Sequence, residues 1–586
     1  MTQETRTCQN CKNPFTIEPE DFVFYEKIRV PPPTWCPMCR MQRRLAFRNE
    51  RRLFKGKSAL SGKPIFTLYD AENSRPIYEE QEWWSDAWDP LSHGRPYDFS
   101  RPFFEQFREL LHVVPQYNRS VINIVHSEYS ANAGDLKNCY LCFNANESED
   151  SGYSNGLDYS KDCFDCSHVN KCERCLESFW LQQCYTTLFS SQCEGCAQVL
   201  FSKNCIGCSD CFGCVNLRNK KYHIFNRAYS VQEYKKQLAA RNLGSHNILE
   251  ETKKMARDFW KNFPVKFAQS RQNTNATGDY IFNSKNIKQG YLIRGGENLA
   301  YCQYMQVAPN KDCYDHSVWG GGNELTYECT TCGINTYNIK FCIECWPETR
   351  NLEYCASCHS TKDCFGCVGL RNKQYCILNQ QYPKEAYEEL VARIKRHMAD
   401  MPYTDKRGRV YAYGEFFPIE FSPFAYNDTT AQDHMVLNKE AAAREGYRWR
   451  DAAKKEYETT LDAKNIQDHI SDVSDGIFNE ILKCSVCGKG YRVIPPELAF
   501  YRKANIALPR SCPDCRHDAR MQERNRAAFC ARKCQCMAAA STNGAYKNTA
   551  THPHGNIPCT EVFETSYAPE QPEIVYCENC YNAEVA

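Results

Sequence analysis

Four cysteines recur at one spacing near both ends of this chain: Cys8-x-x-Cys11, 24 residues, Cys36-Pro-Met-Cys39-Arg, and Cys484-x-x-Cys487, 24 residues, Cys512-Pro-Asp-Cys515-Arg. Two thiolates on one turn, closed by a second such pair, make the four-sulfur tetrahedron that Zn2+ prefers and leave no open position for a substrate. The pattern predicts two structural zinc sites in ribbon or treble-clef modules. Cys39 and Cys515 should open helices, whose N-termini favour thiolate. A third site is expected from Cys534, Cys536, Cys577 and Cys580, with Cys530, His552, His554 and Cys559 as substitutes.

The chain has 38 cysteines in 586 residues. Its first residues, Met-Thr-Gln-Glu-Thr-Arg-Thr-Cys, contain no apolar run resembling a signal peptide, and no stretch approaches membrane-spanning length. The expectation is a cytoplasmic protein with reduced thiols and no membrane partner, since a secreted disulfide scaffold is usually small. A net charge of +1 excludes a uniform polycation, so any attraction for nucleic acid must come from a local patch.

The middle of the chain repeats. Cys142, Cys163, Cys184 and Cys205 stand 21 residues apart, as do Cys172, Cys193 and Cys214, among short segments rich in Asn, Asp, Ser and Gly. A period near 20 residues with turn formers between short strands reads as a parallel β-solenoid. The words Cys211-Phe-Gly-Cys214-Val-Asn-Leu-Arg-Asn-Lys and Cys364-Phe-Gly-Cys367-Val-Gly-Leu-Arg-Asn-Lys then indicate a second array, 153 residues on. The expected architecture is multidomain and mainly β, with ribbon modules flanking two cysteine-rich parallel β-solenoids that end in capping helices. Its divisions are 1–60, a zinc ribbon with a basic helix; 61–125, a degenerate ribbon and connector with a helix from Pro102 to Leu111; and 126–228, the first solenoid. There follow 229–272, a helical cap and linker; 273–379, the second solenoid; 380–475, a further helical cap and linker, with a helix over Leu437–Glu456; and 476–586, a double zinc-binding module.

The solenoid cysteines admit two readings. They fill a dry lumen as small, effectively apolar side chains, or facing pairs bind further metal. Candidates for the second are Cys163, Cys166, Cys172 and Cys175; Cys205, Cys208, Cys211 and Cys214; and Cys364 with Cys367. The N-terminal module also carries a lost counterpart of the third site: where the C-terminal copy has Cys577-x-x-Cys580, it reads Glu79-Glu-Gln-Glu82-Trp83, so packing by Trp83 and Trp84 is expected there.

Arg40, Arg43, Arg44, Arg48, Arg51, Arg52, Lys55 and Lys57 crowd the segment after Cys39, against Glu50 alone. A basic helix on a zinc ribbon suits phosphate contact with RNA or DNA, and the alternative is a solvated, internally paired face. No HExxH, P-loop, GxSxG or post-strand GxGxxG occurs. Aspartates such as Asp162, Asp165, Asp210, Asp312, Asp315 and Asp363 offer turn residues or, on adjacent coils, an acid site.

Three stretches carry a resemblance: Val30-Pro-Pro-Pro-Thr-Trp-Cys-Pro-Met-Cys39 with Arg-Arg-Leu-Ala-Phe-Arg-Asn-Glu50, the Cys-Phe-Gly-Cys-Val words, and Glu564-Thr-Ser-Tyr-Ala-Pro-Glu-Gln-Pro-Glu-Ile-Val-Tyr-Cys577. Through them the chain resembles the cysteine-rich zinc-ribbon domain proteins of candidate-phylum (small-genome) bacteria. That resemblance implies zinc ribbons and a cytoplasmic bacterial origin, but no activity. It departs at Ser58–Gly62, where such proteins tend to have another CxxC-like turn. The functional expectation is a zinc-binding structural or binding protein, contacting nucleic acid through the first ribbon. The alternatives are a protein-interaction scaffold with its partner along the solenoid, and a β-helix enzyme or metal-cluster protein.

Overall fold

The computed structural model describes residues 2–451 and 458–585. Two parallel β-solenoids occupy the centre, each forming a 12-stranded sheet, over residues 121–228 and 270–381.

Their coil is shorter than the cysteine repeat implied. Phe143 pairs with Asn155, Asn155 with Ser167, and Ser167 with Phe179, so one coil of the first solenoid is 12 residues. In the second, the step from Asn310 to Asn323 is 13 and that from Gly296 to Asn310 is 14. The 21-residue interval has a different origin. From Asn138 to Thr186 every third residue lies in the left-handed region, and the residue after each one is buried in the lumen. Four such triplets make a four-sided coil. An interval of 21 is seven triplets, so it keeps a cysteine inside without returning it to the same side.

This geometry also explains the composition. Asn and Asp tolerate the left-handed conformation better than other non-glycine residues. Asp162, Asp165, Asp210, Asp312, Asp315 and Asp363 all occupy such corners. In several inward columns the N–H then meets a side chain of the preceding coil. Cys163 N donates to Ser151 Oγ, Cys166 N to Ser154 Oγ and Cys172 N to Ser160 Oγ, each at 3.1 Å, and Cys184 N to Cys172 Sγ at 3.4 Å. A small hydroxyl or thiol serves there, whereas a leucine would leave a buried donor unpaired.

Outside, Phe164, Leu176, Leu188, Leu200, Phe212 and Ile224 stack one coil apart and share a core with helix Pro495–Ala504. The second solenoid presents Phe341, Tyr354 and Phe365 to helix Phe103–Val113, close to the Pro102–Leu111 expected. Each solenoid ends in a turned-back strand, with His223 opposite Ala228 and Cys376 opposite Gln381. Helices Val231–Ala239 and Lys384–Asp400 follow, packing as caps on the last parallel strands, Lys221–Ile224 and Gln374–Ile377. The helix expected over Leu437–Glu456 is only Lys439–Glu445, closed by Gly446 at φ 88°. Part of that expectation, 452–456, lies outside the described residues.

Each end module is a hairpin followed by two helices: Glu4–Thr7 with Pro14–Ile17, then Pro19–Lys27 and Pro37–Leu45; and Leu482–Lys483 with Gly490–Tyr491, then Pro495–Ala504 and Pro513–Gln522. Equivalent residues stand 476 positions apart, from Cys8 and Cys484 to Asn49 and Asn525. The docking is crossed. Helix Pro37–Leu45 packs on the second solenoid and helix Pro513–Gln522 on the first.

Candidate metal centres

Among the described residues, four sets of ligand atoms converge closely enough to hold a metal ion. Two are the predicted ribbons, Cys8, Cys11, Cys36 and Cys39, and Cys484, Cys487, Cys512 and Cys515. The hairpin supplies the first pair of each. Cys36 and Cys512 are helix N-caps followed by proline, which places Cys39 and Cys515 in a first helical turn. Cys11 Sγ lies 3.8 Å from Cys36 Sγ, Cys484 3.9 Å from Cys515, and Cys487 3.7 Å from Cys512. A tetrahedron with metal–sulfur bonds of about 2.3 Å has edges of about 3.8 Å.

Backbone N–H groups prepare the sulfurs as thiolates. Cys36 N reaches Cys8 Sγ at 3.2 Å, and Cys512 N and Val486 N reach Cys484 Sγ at 3.2 and 3.4 Å. Burial opposes the Cys484 thiolate, but the N–H groups of Cys487, Cys512 and Val486 outweigh it and bring the thiol down to about 6.

The third site is rearranged. Cys534, Cys577 and Cys580 are joined by Cys559, while Cys536 converges with His552, His554 and the same Cys580. The predicted set of Cys534, Cys536, Cys577 and Cys580 is therefore corrected, because alternate residues of Cys534-Gln-Cys536 present to different centres. None of Cys163, Cys166, Cys172, Cys175, Cys205, Cys208, Cys211, Cys214, Cys364 and Cys367 belongs to any of the four sets. All are buried in the lumens, and their thiols point to main-chain carbonyls, as Cys163 Sγ does to Lys161 O at 3.3 Å. At the lost N-terminal site, Ser58 and Glu82 stand where Cys534 and Cys580 would be and hydrogen-bond to each other. Trp83 is buried nearby as expected, but Trp84 is 39% exposed.

The basic helix is the largest departure from the sequence reading. Arg40, Arg43 and Arg44 are at most 1% exposed. Arg40 meets Asp315 at 2.8 Å, Arg44 meets Asp315 and Glu328 at 3.0 Å, and Arg43 meets Glu328 at 2.8 Å and Glu415 at 3.2 Å. Arg48 is also buried and spans both solenoids, reaching Asn144 at 2.7 Å and Thr331 at 3.0 Å. Arg51 and Arg52 pair with Asp514 of the other ribbon. Only Lys55 and Lys57 of the eight are exposed. Burial pushes the Glu328 carboxyl up against the pull of Arg43 and Arg44. Arg40, Arg43 and Arg44 thus form an internal docking face, and Arg51 and Arg52 a contact between the ribbons.

The C-terminal ribbon repeats the device. Arg516 meets Asp165 at 3.1 Å and Glu497 at 3.0 Å, and Arg520 meets Asp165 at 2.9 Å. Arg44 Nε donates to Ser317 Oγ at 3.1 Å and Arg520 Nε to Ser167 Oγ at 3.4 Å, so an Asp-x-Ser corner receives the helix in both halves. Sequence reasoning had Asp165 and Asp315 as turn residues or an acid site and missed this role. The shared Arg40-x-x-x-Arg44-x-x-x-Arg48-Asn49 and Arg516-x-x-x-Arg520-x-x-x-Arg524-Asn525 patterns were a usable signal.

A cavity of ≈ 1060 Å³ runs along the first solenoid beside helix Pro495–Ala504, between Tyr129, Tyr140, Phe164 and Phe500. No helix of the described residues is long and apolar enough to cross a membrane. No protein-family model matches the chain, and no curated protein is similar to it.

Proposed function

We propose that the protein is a zinc-stabilised structural scaffold that presents two rigid solenoids to protein partners. The observation that carries this is the coupling of metal cage to docking face: the helix opened by Cys39 is the one whose Arg40, Arg43 and Arg44 enter the second solenoid, and the helix opened by Cys515 does the same on the first. Sulfur ligands of this geometry suit Zn2+, and closed cages support a structural role. Buried, acid-paired arginines favour a protein-interaction scaffold over nucleic-acid contact through this helix, whose segment leaves only Lys55 and Lys57 fully exposed.

Elemental analysis of anaerobically purified full-length protein, followed by chelation, tests the reading. Zinc should be present in both ribbons, and its removal should strip protection from the docked helices in hydrogen exchange. A metal-free protein with the same protection would sink it. Salt-titrated binding to generic RNA and DNA should show no affinity that falls steeply with salt. Such a slope would restore the nucleic-acid reading.

A further inference from the structure

We infer that the C-terminal module holds two metal ions joined by Cys580 as a bridging thiolate, an inference that rests on the metal-stabilised reading above. Cys534, Cys559 and Cys577 converge with Cys580 on one point, and Cys536, His552 and His554 converge with the same sulfur on another. Seven side chains thus complete two four-ligand sets only because one belongs to both.

The closest distances match the edges of metal-centred tetrahedra. Cys559 Sγ lies 3.9 Å from Cys577 Sγ. Cys536 Sγ is 3.6 Å from His552 Nδ1 and 3.4 Å from His554 Nε2, and Cys580 Sγ is 3.3 Å from His554 Nε2. Zinc-like bonds of about 2.3 Å to sulfur and about 2.0 Å to nitrogen require edges of about 3.8 and 3.5 Å. Both sets exist in one conformation, so Cys580 need not swing between them.

Both imidazoles are oriented as ligands. His552 turns Nε2 to Glu584 at 2.8 Å, with side chains 1% and 0% exposed, and His554 gives Nδ1 to Ile557 O at 2.6 Å. With protons on those outer nitrogens, the inner nitrogens present lone pairs to two sulfurs. Glu584 is itself fixed by Thr549 N at 2.9 Å, Ala550 N at 3.2 Å and Tyr546 OH at 2.9 Å. Asn548 Nδ2 donates to Cys536 Sγ at 3.2 Å, and Cys577 N to Cys534 Sγ at 3.2 Å, as thiolates require. One set is all sulfur and the other is two sulfurs with two nitrogens, both suited to zinc.

The N-terminal module, which holds neither set, lacks the segment that helps complete both. Equivalent residues run 476 apart at Ser58 and Cys534 but 498 apart at Thr67 and Thr565. The 22 residues gained lie in the segment that carries His552, His554 and Cys559.

The test loads full-length protein with 113Cd and counts both ions and resonances. Four ions per chain are expected, two of them in the ribbons. The other two should split each other's signals through the shared sulfur. Cys536→Ser should remove one ion and abolish the splitting while leaving three ions, and His554→Ala should do the same. Cys580→Ser should disturb both ions of the pair. A single unsplit signal from this module, with both ribbons loaded, would overturn the bridge and leave the broader reading intact. Empty ribbons would overturn the broader reading instead.

Discussion

At the scale of single residues, the lumens use cysteine and serine for one task. In the Ser/Cys columns an inward N–H finds its acceptor on the side chain one coil earlier, and either Oγ or Sγ serves. Ser202 is a clear case: its Oγ accepts from Cys214 N at 3.0 Å and donates to Leu200 O at 3.0 Å. Ser202→Ala should cost about 1–3 kcal/mol by leaving a buried N–H unpaired, and Ser202→Cys should cost less. Chemical denaturation measures both, and equal costs would mean that packing alone decides the position. His359 makes a second residue-scale prediction. It is 2% exposed, lies among Trp83, Trp84 and Trp346, and has its pKa brought down to about 4 by burial, against the pull of Cys345. An unfolded histidine titrates near 6.5. The folded form therefore binds fewer protons, its contribution is intact above that pH, and it is lost as pH falls toward 4. Between pH 7.5 and pH 5 the loss should be about 2 kcal/mol. Denaturation of metal-saturated protein at the two pH values should show a smaller drop in His359→Gln.

At the scale of elements, the two ribbon helices are keys cut to one pattern. Arginines at i and i+4 lie along one helix face and enter an Asp-x-Ser corner in each half, while Arg48 and Arg524 follow just past the helix ends. Removing one partner of a buried pair strands the other charge, which costs about 3–5 kcal/mol. Asp315→Ala and Asp165→Ala should each lose stability of that order in denaturant titration, and an unchanged midpoint would show the pairs to be incidental. The duplicated ligand spacing, the two arrays and their caps were legible because they are local in the chain. The burial of Arg40 and Arg44 was not, because Asp315 and Glu328 lie more than 270 residues away and an arginine-rich helix looks the same on either side of an interface. The coil length was masked for a different reason. With every third residue facing inward, any multiple of three imitates a period, and cysteine spacing followed 21 while the pairing followed 12. Cys536 was misassigned because adjacency to Cys534 says nothing of which centre each faces.

For the whole molecule, the crossed docking makes the chain ends into mutual fasteners. The N-terminal ribbon holds the second solenoid, the C-terminal ribbon holds the first, and Arg52 joins the two ribbons through Asp514 at 2.6 Å. Arg48 reaches both solenoids, and Arg524 contacts Tyr304 of the second from just past the helix docked on the first. Loss of one metal should therefore be felt far from it in sequence. Cys39→Ser should open the N-terminal cage, loosen helix Pro37–Leu45 and raise hydrogen exchange around Asp315 and Glu328, while strands near Asp165 keep their protection. Cys515→Ser should give the reverse pattern. The two-stage account, in which the ends unfold and the solenoids ignore them, predicts no change in either solenoid. Exchange that rises next to the opened ribbon's own chain neighbours, and not across the crossed contact, would show that each ribbon stabilises only itself.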